Sequence, residues 1–472
     1  MSNMWSSPRK KFDPRSEQVR GMELIVKGGT RLFLHPGMGK TAVVLKAFQI
    51  LKNAGHVDAL LVLGPLRVIM TSWPQEMAKW SDFEDMTHAV VHGGKTARLK
   101  AMQADADVYL MNVEGLLSSE WKLGPHNKLN PAALAFLKGK RVMVAVDEST
   151  KFKESQTARF KTLKRYLPHM DRVVIMTGTP KPGKVEGLFA QCYLTDQGED
   201  LGQYVTHFRN EYMQLGYDGQ WHEQPTALAR VAEKIAPTTL QIKDVEAVPL
   251  TTVDLWLPMP EELRRPYEEL QKEFITALEG GETIFAKSAG ALWIKMRQMC
   301  QGALWKDNKD DGYHELHNAK LDALESILAD LDGDPLFCLY QFRHDLARIS
   351  ERLGYQVPYV GGGVSARQGA DWCRAFGAGA MPLLLGHPQS VAHGVDGLQA
   401  NCSNVCWFGL DWSWENYAQA NRRIQRHGTK ADSVRVWRIL LDCPTERAML
   451  ASVTEKASSE AQFLQLVREH MK

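Results

Sequence analysis

The segment His35-Pro36-Gly37-Met38-Gly39-Lys40-Thr41 has the residue types and spacing of a phosphate-binding loop. Two glycines let backbone N–H groups approach anionic oxygens, and a helix that starts there adds its positive end. At this spacing Lys40 reaches β- and γ-phosphates, and Thr41 offers a hydroxyl to Mg²⁺. The full pattern G-x-x-x-x-G-K-[ST] is not met, because Leu34 stands at the first glycine position. An ordinary strand–turn–helix is therefore the competing reading. A second group is Val144-Ala145-Val146-Asp147-Glu148, an apolar run ending in adjacent carboxylates. At the C-terminal end of a buried strand, both carboxylates can face a ligand crevice. Asp147 then suits Mg²⁺, and Glu148 suits polarisation of an attacking water. The alternative is a solvated acidic turn. A third group runs from Gln419 to Gly428 and includes Arg423 and Arg426. Three residues apart, the two arginines would share a helical face, and fixed guanidinium forks suit a transferring phosphate. A solvated basic helix is the plainer reading of that stretch.

These groups need elements to position them. Short apolar runs at Leu32–Leu34, Ala59–Leu63, Val108–Met111, Val142–Val146 and Val173–Met176 read as buried strands. Helical patterns such as Thr41–Lys52 and Ser155–Tyr166 lie between them, which predicts a parallel sheet covered on both faces. From about 181 to 330 the pattern is mostly helical. Strand signals then return at Leu336–Tyr340, Val357–Val360, Leu383–Leu385, Val405–Phe408 and Val434–Leu440. Helical patterns at Asp345–Leu353 and Ala366–Phe376 separate them. The expectation is an α/β chain with two parallel-sheet lobes and helical insertions between them.

The 472 residues are 44% hydrophobic and 24% charged, as expected for globular domains rather than a disordered or fibrous chain. Lys and Arg total 57 against 55 Asp and Glu, so the net charge is only +2. A nucleic-acid surface would have to be a local patch. The cysteines form no C-x-x-C pair, which argues against a zinc ribbon and for reduced thiols. The polar start has no apolar signal core, and no apolar run is long enough to span a membrane. The expected location is the cytoplasm, of a prokaryote or a phage-infected host. Most of the tryptophans, Trp73, Trp80 and Trp412 among them, are expected to pack rather than stack on bases. His35 and His393 are assigned no proton transfer.

Taken in order, these segments resemble superfamily 2 helicase-type ATPases of the Swi/Snf-like DNA translocase family. Pro14-Arg15-Ser16-Glu17-Gln18 is similar to the adenine-reading segment, His35–Thr41 to motif I, and Pro65-Leu66 with Trp73, Glu76 and Trp80 to motif Ia and its tail. Asp147-Glu148 with Lys153 resembles motif II. Thr177-Gly178-Thr179-Pro180 matches motif III, and Gln341-Phe342 resembles motif IV. Gln419-Ala420, Arg423, Arg426 and Gly428 resemble motif VI, and Lys320-Leu321 and Thr445-Glu446 also fall at family positions. The departures are Ser149-Thr150 in place of Ala-His, Asp396 and a shifted Gln399 in motif V, Thr429 at the end of motif VI, and Gln241-Ile242-Lys243 for Arg-Arg-x-Lys.

The resemblance implies two tandem RecA-like P-loop domains with ATP between them. Lobe 1 would cover 1–245 with a helical protrusion after about 181. Lobe 2 would cover 246–472 with a helical insertion to about 315. ATP and Mg²⁺ are the implied cofactors. Arg15, Gln18, Pro36, Gly37, Met38, Gly39, Lys40, Thr41 and Gln419 would bind nucleotide. Thr41 and Asp147 would hold Mg²⁺. Lys40, Asp147, Glu148, Arg423 and Arg426 would carry catalysis. Lys153, Thr177 and Thr179 are the nucleic-acid candidates. The implied partner is double-stranded DNA, with branched or single-stranded DNA as further possibilities; a membrane partner is not expected. The length fits a compact bacterial or phage-type member. The leading expectation is a motor that moves on duplex DNA. A strand-separating or fork-remodelling helicase, and a nucleotide-gated DNA-binding scaffold, are the alternatives. A small-molecule P-loop kinase fits less well, because of the second α/β lobe.

Overall fold

The computed structural model describes residues 9–35, 37–181, 184–242, 248–279, 283–306, 312–392, 395, 397–425, 429 and 431–470. Pro36, Lys243, His393, Asp396, Arg426 and Gly428 therefore lie outside the described residues. The chain divides into two compact units, one of residues 1–245 with 456–472 and one of residues 246–455.

In the first unit, β1 (Arg31–Phe33), β2 (Ala59–Gly64), β3 (His88–Val91), β4 (Val108–Asn112), β5 (Val142–Asp147) and β6 (Arg172–Thr177) precede a short hairpin. The hairpin consists of β7 (Met213–Leu215) and β8 (Trp221–Glu223), and β9 (Thr239–Gln241) follows. Apart from the hairpin these strands form one parallel sheet in the order β3-β4-β2-β5-β6-β1-β9. Alternate residues of one strand feed two separate cores. Val142, Val144 and Val146 pack with one cluster, and Met143 and Ala145 with the other. This explains the near-continuous apolar runs: a parallel strand covered on both faces has no polar side.

In the second unit, β10 (Leu250–Leu257) precedes a small hairpin of β11 (Ala303–Trp305) and β12 (Tyr313–Glu315). Then come β13 (Leu336–Leu339), β14 (Tyr359–Val360), β15 (Leu383–Gly386), β16 (Asn404–Trp407) and β17 (Val434–Leu441). Its parallel sheet has the order β10-β17-β16-β13-β15-β14. The two-core pattern recurs: Phe337 and Leu339 join one cluster, Leu336 and Cys338 the other. Two long helices, Glu261–Glu279 and Thr283–Gln301, supply the expected helical insertion.

The α/β class and the strands read from apolar runs agree with this architecture. β3, β9 and β10 and the strands of the two hairpins, β7, β8, β11 and β12, are additional. β10 is an edge strand with mostly exposed side chains, so it carries no apolar run. The helix expected from Ser155 begins at Ala158, because the Thr157 hydroxyl accepts from the Phe160 N–H at 3.4 Å and caps it. All seven cysteines are free and buried. Among the described residues no helix is long and apolar enough to cross a membrane.

Candidate nucleotide site

The site is built on three neighbouring strands. β5, β6 and β1 lie side by side and run the same way, with Asp147 opposite Met176 and Thr177 opposite Phe33. The segments leaving their C-terminal ends are therefore neighbours: Glu148 onward, Gly178-Thr179-Pro180, and Leu34 to Thr41. Ligands of open parallel sheets bind at this edge.

After β1 the chain turns through Gly37 (φ 88°) and Gly39 (φ 77°) into the helix Lys40–Asn53. Both angles lie in the left-handed region that glycine adopts without strain. Gly39 is the helix N-cap and has no side-chain cap, so no side chain competes for the first-turn N–H groups. A Cβ on Gly39 would also stand 2.1 Å from Gln18 Nε2. Gln18 is buried against the loop: its Nε2 donates to the Met38 carbonyl at 3.4 Å, and its Oε1 accepts from the Arg15 N–H at 3.0 Å. The expected adenine reader thus also braces the phosphate loop. Lys40 Nζ donates to the carbonyls of Leu34 at 2.7 Å and His35 at 3.3 Å, which lays the ammonium across the loop.

Asp147 and Glu148 are both buried. Asp147 Oδ2 accepts from the Trp73 indole at 2.9 Å. Trp73 is fully buried, as expected of a packing residue, but its hydrogen bond to the carboxylate was not legible. The signal was its place in the motif Ia tail, and its partner depends on the tertiary fold. Glu148 has φ 60° and ψ 63°, a left-handed conformation that costs a non-glycine residue roughly 1–3 kcal/mol. Thr177 Oγ1 donates to Glu148 Oε2 at 3.4 Å, and the Thr179 N–H donates to Thr177 Oγ1 at 3.1 Å.

Thr177 and Thr179, two of the nucleic-acid candidates, are fully buried beside the carboxylates. Lys153, half-buried after the short helix Ser149–Phe152, keeps its place as a candidate. In the basic stretch that follows, Arg159 pairs with Glu114 at 2.9 Å, and Lys164 lies 4.1 Å over the Tyr193 ring.

In the second unit, Gln419 is fully buried in the helix Trp414–Asn421. That helix stops at Asn421, before Arg423, and Arg426 lies outside the described residues. Arg423 sits in the following turn, with its N–H donating to the Ala420 carbonyl at 3.1 Å and Nη1 to the Val395 carbonyl at 3.0 Å. Gln341, just after β13, accepts from Arg297 Nη2 at 3.0 Å and donates to the Gly409 carbonyl at 3.1 Å. Burial holds the Arg297 pKa below the usual arginine value. Trp412 departs from the packing expectation: it is 44% exposed and touches Trp293 edge-on at 5.6 Å.

Comparison with known proteins fits these features. The SNF2-related domain model matches residues 26–302. The phage protein p41 of Acyrthosiphon pisum secondary endosymbiont phage 1 is 30% identical over 414 residues, covering 82% of this chain and 83% of that protein. CHROMATIN REMODELING 5 of Arabidopsis thaliana is 22% identical over 488 residues, covering 94% of this chain but 26% of its own length. A solved structure, the Sulfolobus solfataricus SWI2/SNF2 ATPase core in complex with dsDNA, aligns over 100% of this chain and 98% of that one, at 19% identity and a TM-score of 0.43. On the family match and the phage relative, the chain belongs to the SNF2-related domain family, in the Swi/Snf-like group of superfamily 2 helicase-type ATPases.

Proposed function

We propose that this chain hydrolyses ATP to move along double-stranded DNA. The observation that carries the reading is the side-by-side placement of β5, β6 and β1, which brings Lys40, Asp147 and Glu148 to one strand edge. The residues there fit the nucleotide. The glycine cradle has no room for a Cβ at Gly39, and the helix start has no side-chain cap. They also fit Mg²⁺. Thr41 and Asp147 are hard oxygen donors, and an ion that keeps most of its water needs only one or two protein ligands. Held by Thr41 and Asp147, Mg²⁺ would supply charge neutralisation to the nucleotide's phosphates.

The chain's own residues then divide the work. Lys40 leaves the Leu34 and His35 carbonyls for the phosphates. Trp73 holds the Asp147 carboxylate in one orientation. Glu148, buried and fixed by Thr177, orients the attacking water and takes up its proton. Arg423 and Arg426 are the cations expected to offset charge on the transferring group. The names of two relatives, CHROMATIN REMODELING 5 and the Chromodomain-helicase-DNA-binding protein 7 of Gallus gallus, support the choice of DNA.

A second reading, a strand-separating motor, is favoured by one observation. The hairpin β7–β8 carries Tyr217 fully exposed near its tip, an aromatic that could wedge between strands. Displacement of a triplex third strand separates the two. Pure translocation predicts ATP-dependent release of the third strand with the underlying duplex intact. Unwinding of a plain forked duplex at a similar rate would favour the second reading.

A further inference from the structure

We propose that Gln191 is a positioning residue for the candidate base Glu148, which it serves by closing a buried ring of hydrogen bonds. The inference rests on the reading of Glu148 as the residue that activates water. Gln191 lies on the helix Glu186–Asp196, outside every motif and 11 residues after Pro180, and is fully buried. Its Oε1 accepts from Ser149 Oγ at 2.7 Å. Its Nε2 donates to the Pro180 carbonyl at 2.8 Å and to the Gly187 carbonyl at 3.0 Å. The carbonyl end of the amide meets a hydroxyl and the amine end meets two carbonyls, so the amide has a single satisfied orientation.

The ring follows from the covalent chain. Glu148 joins Ser149, Ser149 bonds Gln191, and Gln191 bonds Pro180. The backbone then runs back through Thr179 to Thr177, whose hydroxyl returns to Glu148 Oε2. Glu148 is held in a left-handed conformation inside this ring. Such a conformation persists only where its surroundings over-determine it. Ser149 and Gln191 supply the restraint on one side, and Thr177 supplies it on the other. Gln191 touches no reacting atom; it sets where the carboxylate stands relative to the phosphate loop.

The test is steady-state hydrolysis by the full chain carrying Gln191→Met, Ser149→Ala, Ser149→Thr or Glu148→Gln. Gln191→Met keeps the volume and removes every hydrogen bond of the amide. The expected result is a kcat about tenfold lower for Gln191→Met and for Ser149→Ala, with KM for ATP within twofold. Ser149→Thr keeps the hydroxyl and should restore kcat. The double variant Gln191→Met with Ser149→Ala should lose no more than either alone, because both open the same ring. Unchanged kcat in Gln191→Met, with Glu148→Gln inactive, overturns the ring and leaves the base assignment standing. Losses that multiply in the double variant, or a KM that rises with the fall in kcat, also overturn it. An active Glu148→Gln overturns the base assignment, and the role of Gln191 with it.

Discussion

In the proposed reading, Lys40 and Glu148 are the residues on which the chemistry turns. Lys40→Ala removes the ammonium proposed to bind phosphate, and Glu148→Gln removes the proposed proton acceptor while keeping its shape. Each is expected to lower kcat by at least ~10²-fold, the usual scale for a positioned base. Far-UV circular dichroism and the melting temperature should stay close to wild type, and near-normal hydrolysis by Glu148→Gln would show the base to be misassigned. Arg426→Ala should bind ATP normally, read by a fluorescent nucleotide, and lose roughly 10³-fold or more of its turnover. An unchanged kcat would move that role to Arg423. The placement of Lys40, Thr41, Asp147 and Glu148 at strand ends was legible, because each follows an apolar run that reads as a buried strand. The bonds of Asp147 to Trp73 and of Ser149 to Gln191 were not, since each joins residues dozens of positions apart that meet only in the fold. The burial of Thr177 and Thr179 was hidden for the same reason.

At the level of elements, three parallel strands and the turns that follow them make the candidate site. Their apolar runs were legible because both faces are covered. β9 was not, with Leu240 its one apolar residue between Thr239 and Gln241, nor was β10, whose exposed side chains follow no apolar pattern at the sheet edge. The arginine segment was misjudged at its boundary: basic residues continue past Asn421, but the helix does not. The second sheet has an internal tie of its own. Lys320 on the helix Ala319–Asp330 meets Glu446 on the helix Pro444–His470 at 2.5 Å, and both are buried. Lys320 also donates to the Phe408 carbonyl at 3.2 Å. Lys320→Met leaves the Glu446 carboxylate buried without its cation, and should destabilise this unit by about 3–5 kcal/mol in urea unfolding. Lys320→Met combined with Glu446→Leu should recover most of that loss. A single variant as stable as wild type would show that the pair contributes little.

For the whole molecule, a net charge of +2 on 472 residues matters to the proposed activity. A motor that releases its track in every cycle needs a local basic path, and a uniformly basic coat would hold it in place. The central claim is that ATP turnover answers to duplex DNA. The direct measurement is the rate of ATP hydrolysis by the full chain at fixed salt, with no nucleic acid, single-stranded DNA, duplex DNA or RNA. A motor on duplex DNA should show a clear rise in kcat with duplex DNA, larger than with either single strand. A rise with RNA alone, or turnover indifferent to every nucleic acid, would contradict it.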